Sequence, residues 1–341
     1  MGAAASASSD QTEVYRELMA RHDALVANGA SESQRAAAMF AAAALSTAEA
    51  AAEQVLRRPA YDIVVGCCGT QDSAVAFDVA LTLTKMSAAI TTLHFYGDEA
   101  AQAALPPAQR AVAVRTALEV EMTGLGSRGD VQTLELGTET VKAATVEWVN
   151  AHSASVLSGP TLYVCGYRGR QSMDETSGSV LGSTADMALS EMKCATLIAK
   201  QRLPSETSAP RCVAVAVAGD LGQTECHHYA AALALVRPVD RLIVVTIVRN
   251  DTSEAAAGLE SQFASDFAAR GLANAAFVAH DASGAADLAA SLLGFTQENE
   301  VDVLCIGESI HAAGRAEDED FRMATEAIVR TCKCNVLVAK S

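Results

Sequence analysis

The residues best suited to chemistry are Gly166-Tyr167-Arg168-Gly169 and the Gly182-Ser183-Thr184 that follows. A short apolar run, 162–165, leads into the first glycine turn, and the second glycine with its two hydroxyls opens a helical segment. Backbone N–H groups at a glycine turn and at a helix start point outward, where they can hold an anion such as phosphate. Arg168 and Arg170 add positive charge at that place. Asp174 and Glu175 lie between the two glycine pieces and would repel a triphosphate unless they face solvent or share a metal ion. Cys67, Cys68 and Cys165 are expected at neighbouring strand ends. A reactive thiol needs electropositive surroundings, which only Arg168 could supply, so small apolar filler is the preferred reading. Cys332-Lys333-Cys334 lacks the two-residue gap and the second ligand pair of a zinc site and reads as structural. His227-His228 falls on a helix start, where adjacent side chains diverge and make a poor metal clamp. No nucleophile elbow, HExxH or Walker lysine occurs, and Trp148 reads as core.

Those residues need a sheet to position them, and the composition favours one. Half of the 341 residues are apolar, yet aromatics make up only 4%. Alanine and valine therefore fill the interior, which suits buried parallel strands between alanine-rich helices. The 41 acidic against 25 basic residues argue against general nucleic-acid binding and against adhesion to anionic lipid. No apolar run reaches the roughly 18–20 residues of a membrane-spanning helix. The nine cysteines are scattered within apolar runs and not spaced as a disulfide framework, so a reducing, cytoplasmic compartment is expected.

Met1-Gly2-Ala3-Ala4-Ala5-Ser6 matches the N-myristoylation pattern at Gly2, with a disordered small-residue tail as the alternative. One acyl chain gives marginal, reversible membrane contact, so a peripheral association would follow only if Gly2 is acylated. Residues 11–27 and 31–57 read as two amphipathic helices, a hairpin that could cover a domain face or meet a protein partner. From residue 61 short β-rich runs alternate with helices. Strands are expected at 61–66, 90–96, 131–136, 162–165 and 195–199, with helices near 72–87, 107–123, 139–154 and 182–192. Pro204, Ser205, Thr207, Ser208 and Pro210 mark a linker over 201–211. The alternation then restarts, with strands at 213–217, 242–248, 276–279, 301–306 and 335–339 and helices near 223–236, 254–270, 284–298 and 319–330. The division is therefore 1–59 extension, 60–200 first domain, 201–211 linker and 212–341 second domain.

This order of elements, with the residues quoted, resembles the universal stress protein family in a tandem arrangement. The family's first strand ends in Asp-Gly-Ser before a helix, a place held here by Cys68-Gly69-Thr70. Its second strand, typically Leu-His-Val, is similar to Leu93-His94-Phe95, and its turn after strand three is similar to Gly137-Thr138-Glu139-Thr140-Val141. The family signature Gly-x-x-Gly, nine residues, Gly-Ser/Thr becomes Gly166-x-x-Gly169, twelve residues, Gly182-Ser183. The last strand resembles the family's Pro-Val-Leu-Val-Val ending. The resemblance covers about residues 60–341.

It implies an α/β fold of two tandem open five-stranded parallel sheets, Rossmann-like with order 3-2-1-4-5 and of the adenine nucleotide alpha-hydrolase-like kind, behind the N-terminal helical hairpin. Some family members bind ATP or AMP and others bind no nucleotide. Carried across by position, Gly166, Arg168, Gly169, Gly182, Ser183 and Thr184 would contact phosphates and ribose, Phe95 would sit beside adenine, and Cys68 and Gly69 would hold the strand-one turn. In a sheet of that order the crevice opens between strands one and four at their carboxyl ends, where both glycine turns lie. The second copy reads Gly307-Glu308-Ser309-Ile310 after its fourth strand and carries Glu317-Asp318-Glu319-Asp320 where phosphate would sit, so it is expected to be structural. Family members commonly dimerise through their fifth strands, and Ala195–Ala199 and Asn335–Ala339 are expected to pair within this chain as an intrachain pseudo-dimer. Two functions remain open: a sensor whose first domain binds ATP (with Mg²⁺) or AMP, and an interaction or scaffold protein acting through its helical extension. Slow ATP hydrolysis is the least favoured reading, and no catalytic residue or metal ligand is assigned.

Overall fold

The computed structural model describes residues 61–84, 89–123, 129–137, 139–156, 159–168, 181–204, 209–217, 227–248, 253–281, 288–307 and 318–340. The helical extension, Gly2 and Gly169 lie outside them.

The β-branched runs form β1 (Asp62–Gly66), β2 (Ala89–Tyr96), β3 (Gly129–Glu135), β4 (Thr161–Gly166) and β5 (Ala195–Ala199). The second series is β6 (Cys212–Val217), β7 (Arg241–Val248), β8 (Ala275–Asp281), β9 (Val303–Gly307) and β10 (Asn335–Ala339). All ten share one sheet in the order β3-β2-β1-β4-β5-β10-β9-β6-β7-β8. Each half thus has the 3-2-1-4-5 order in parallel. The sole antiparallel pairing among the described strands is β5 with β10, in the register Thr196↔Val338, Leu197↔Leu337, Ile198↔Val336.

Crossover helices lie between the strands: α1 (Gln71–Thr84), α2 (Glu99–Ala103), α3 (Ala111–Met122), α4 (Val141–Ser155) and α5 (Ser183–Glu191) in the first half. The second half has α6 (His227–Leu235), α7 (Ser253–Ala269), α8 (Leu288–Glu298) and α9 (Asp318–Thr331). The short α2 was not expected, and the helix expected near 107–123 begins as an α-helix only at Ala111. The Asp98 side chain accepts from the Ala101 amide at 2.9 Å and starts α2, and the prolines at 106 and 107 force a 3₁₀ turn before α3.

Alternation along each strand sends successive side chains to opposite faces and builds two cores. Ile63, Val65, Leu162, Val164, Val213 and Leu337 pack on one face with Phe77 of α1 and Phe263 of α7. Val64, Tyr163, Ile198, Ala214, Leu304 and Val336 pack on the other with Val149 of α4, Ala188 of α5 and Phe295 of α8. Both cores run through the two halves. Among the described strands, the edge strands β3 and β8 are half-exposed along their length.

Polar anchors sit at the amino ends of the first strands. Asp62 contacts His152 at 2.6 Å, and Trp148 stacks on that imidazole at 4.8 Å. In the second half Asp240 is held between Arg211 and Arg237, each at 2.7 Å, with Arg211 only 1% exposed. Burial pushes the Asp240 carboxyl up, but hydrogen bonds from Arg237 and Arg211 outweigh this and hold it below the usual carboxylate range.

Candidate functional site

The strand order reverses at β1 and β4, so their following chains diverge to opposite faces and leave a crevice at the carboxyl ends. Its first wall is the turn Cys67–Gly69. The Cys67 amide donates to Leu93 O at 2.9 Å, and buried His94 donates from Nδ1 to Cys67 O at 2.7 Å. Gly69 has φ +76°, a left-handed conformation that favours glycine, and a β-carbon there would meet Val114 at 2.9 Å. Thr70 then caps α1: its hydroxyl accepts from the Ser73 amide at 3.3 Å, and Ser73 Oγ accepts from the Thr70 amide at 3.1 Å.

The second wall is the turn after β4. A β-carbon on Gly166 would stand 2.6 Å from the Asp72 carbonyl oxygen, so the first turn of α1 presses directly on this glycine. The Asp72 carboxylate accepts from the Arg168 amide at 3.0 Å. An amide expected for phosphate is therefore already engaged. Next, the Gly182 amide donates to Tyr167 O at 2.9 Å. That bond brings the start of α5 beside the turn after β4. Gly182 is the N-cap of α5 and, having no side chain, supplies no capping hydrogen bond itself. The first turn of α5, residues 183–186, lines the crevice, and the first amides of a helix have no partner within it.

The resulting cavity is about 930 Å³ and is lined by Cys68, Phe95, Gly166, Arg168, Gly182, Ser183 and Thr184 among others. Seven of the expected site residues thus share one cavity, while Gly69 stands behind its wall. The cavity also includes three groups that the sequence did not single out for it. Lys142 enters from the first turn of α4, Asp186 from α5, and Arg330 from α9 of the second half. Arg330 lies 3.6 Å from Asp186 and 2.7 Å from Glu326, and its carbonyl accepts from the Tyr167 hydroxyl at 2.9 Å. Among the described lining residues Lys142, Arg168 and Arg330 stand against Glu139 and Asp186, a small positive balance.

Thiol chemistry at this crevice finds no support at two of its three cysteines. Burial pushes the Cys165 thiol up to about 12 and Cys67 higher still. Among the described residues no group of three or more His, Cys, Asp or Glu side chains is arranged to hold a metal ion. No described helix is long and apolar enough to cross a membrane.

Solved structures share this architecture. A universal stress protein from Archaeoglobus fulgidus DSM 4304 matches 82% of this chain and 98% of its own, with a TM-score of 0.58 at 14% identity. A Pseudomonas aeruginosa UCBPP-PA14 protein described as a universal stress protein matches 84% of this chain and 95% of its own, with a TM-score of 0.57 at 16% identity. The fold is that of the universal stress proteins. The cytoplasmic domain of a prokaryotic cation chloride cotransporter is also similar, over 83% of this chain and 96% of its own, with a TM-score of 0.50 at 11% identity. No family model and no curated protein matches the chain. At these identities the universal stress protein likeness is one of fold, and the crevice residues must carry any functional argument.

Proposed function

We propose that the first-half crevice binds an adenine nucleotide, AMP or ATP, as a sensing module, and that the second half serves as the built-in counterpart of a dimer partner. The observation that supports this reading is the glycine-capped start of α5 lining a cavity at the strand-order reversal, with Lys142, Arg168 and Arg330 around it. A cavity of about 930 Å³ has room for a nucleotide, and Phe95 offers a ring for the base. The small positive balance suits one phosphate better than three. At about 4 Å and an effective dielectric near 20, each unneutralised charge pair is worth about 4 kcal/mol. A triphosphate facing Glu139 and Asp186 would need Mg²⁺ to bind comparably.

Equilibrium titration of AMP and of ATP, each with and without Mg²⁺, tests the reading. AMP is expected to saturate, metal-free ATP to bind at least tenfold more weakly, and Mg²⁺ to narrow that gap. No phosphate release over hours is expected. Absence of saturation by either nucleotide at millimolar concentration would refute the proposal. The carboxylate of Asp72 on the Arg168 amide favours the alternative, in which the turn is a structural joint and the protein acts as a scaffold. Failure of both titrations would leave that second reading standing.

A further inference from the structure

The turn between α9 and β10 carries a feature that the nucleotide reading does not use. Cys332 and Cys334 are 3% and 4% exposed, and their sulfurs stand 3.0 Å apart, close enough to share a hydrogen. Neither residue is locked in a helix or strand, and exposed Lys333 separates them. Lys200, at the end of β5, reaches this turn from the other half and donates from Nζ to the carbonyls of Val329 and Cys332.

The first half shows what the fold itself requires here. Met192 follows α5 as Cys332 follows α9, each donating its amide back to the helix, to Ala188 O and Ile328 O. Cys194 then precedes β5 as Cys334 precedes β10. A methionine and one cysteine fill that space, 3% and 6% exposed. Packing therefore demands no second thiol, and the paired sulfurs belong to the second half alone.

We propose that Cys332 and Cys334 form a reversible dithiol–disulfide site that reacts with hydrogen peroxide or a peroxide of similar size. The Cys332 thiolate attacks one peroxide oxygen, the O–O bond breaks, and hydroxide leaves and takes up a proton, giving Cys332 sulfenic acid. The Cys334 sulfur then attacks Cys332 Sγ, the S–O bond breaks, and the departing hydroxide takes the Cys334 proton. Two thiols lose two electrons, one peroxide gains them, and two waters leave. The direction of attack follows from the surroundings. The Cys334 thiol donates to Cys332 and, with Lys200 nearby, holds the Cys332 thiol below its ordinary value, whereas that same bond pushes Cys334 up. Burial restricts the reaction to small oxidants or to moments when the turn opens.

Lys333 makes the bond easy to detect. The full chain is treated with hydrogen peroxide under native conditions, alkylated, and cut with trypsin after Arg330, Lys333 and Lys340. Reduced protein yields 331–333 and 334–340 as separate peptides. Oxidised protein is expected to yield them joined, lighter by two hydrogens, and separable by dithiothreitol. In Cys334→Ser the sulfenic acid is expected to persist on Cys332 and to be trapped by dimedone. Cys332→Met imports the side chain already tolerated at Met192, so it should fold, and it should abolish the joined pair. The proposal is overturned if the two peptides stay separate after peroxide. Overoxidation of Cys332 without the link, or a link to some other cysteine, would overturn it equally.

Discussion

Replacing Gly166 by alanine tests how the crevice is built. The added carbon would meet the Asp72 carbonyl oxygen at 2.6 Å, its carbonyl carbon at 2.7 Å and its β-carbon at 3.0 Å. The oxygen contact is about 0.8 Å short of the 3.4 Å at which ordinary contact begins. The carbonyl oxygen and carbon are backbone, and Gly166 itself is paired to Ala199 in the sheet, so a rotamer change cannot relieve the two shortest contacts. Overpacking of this kind costs about 1–3 kcal/mol. The start of α1 must move away, which also loosens the Asp72 bond to the Arg168 amide. At an m-value of about 2–3 kcal/mol per M the urea midpoint is expected to fall by about 0.3–1.5 M. Gly137→Ala is the internal control: its β-carbon would meet nothing within 4 Å, so a change within about 0.5 kcal/mol is expected. An unchanged midpoint for Gly166→Ala, or equal loss for Gly137→Ala, would refute the packing argument. Weakened nucleotide binding by Gly166→Ala would then not locate a phosphate, because this glycine is required whether or not a ligand binds.

Asp240→Asn leaves Arg211 and Arg237 buried without their shared carboxylate and is expected to cost about 3–5 kcal/mol in denaturant unfolding. In the wild type the Asp240 contribution is complete above the ordinary carboxylate range and is lost as pH falls through its depressed value, so an acid titration of stability should show a loss that the variant lacks. His228 is held near a pKa of about 4, chiefly by burial, against 6.5 unfolded. Below pH 6.5 the unfolded chain takes up a proton that the folded one refuses, so stability should fall by about 1.4 kcal/mol per pH unit toward pH 4, and His228→Leu should remove that slope. For nucleotide, Asp186→Asn is expected to tighten AMP about fivefold and Arg330→Ala to weaken it about as much, since both charges are partly solvated. Affinities unmoved by either change would place the ligand elsewhere.

The strands were legible because β-branched runs between helical segments leave few arrangements, and the reversal rule places Cys68, Gly166 and Gly182 around one crevice before any coordinates are known. The identical letters at Gly69 and Gly166 hid different causes: a left-handed φ at one, the close approach of a backbone at the other. Asp72 was equally opaque, because a carboxylate in the first turn of a helix reads as an ordinary dipole complement, yet it occupies the Arg168 amide. The short α2 hangs on one capping side chain, Asp98, in the stretch between the expected strand 90–96 and the expected helix 107–123, where no element was expected. Arg330 could not be found by any local rule. Its place depends on the β5–β10 register, which brings a helix from the far end of the chain beside the first-half turn.

That register also brings a residue of the second half to the first-half crevice. Each half's last strand ends in a lysine that reaches the other half's last helix: Lys200 donates to Val329 O and Cys332 O, and Lys340 to Leu189 O. Cations at helix carboxyl ends satisfy orphan carbonyls and suit the dipole, so the clamp is reciprocal. Its effect differs between the two helices. On α9 the clamp, with the Tyr167 hydroxyl on Arg330 O, fixes a residue whose long guanidinium extends into the first-half cavity. By the strand alignment the matching residue on α5 is Ser190, and its hydroxyl turns back onto the carbonyls of Asp186 and Met187. The first-half crevice thus receives a cation from the other half, whereas the matching position on α5 carries no charge. Unfolding of the second half would remove a charge from the first-half cavity, which ties any phosphate affinity there to the integrity of the other half.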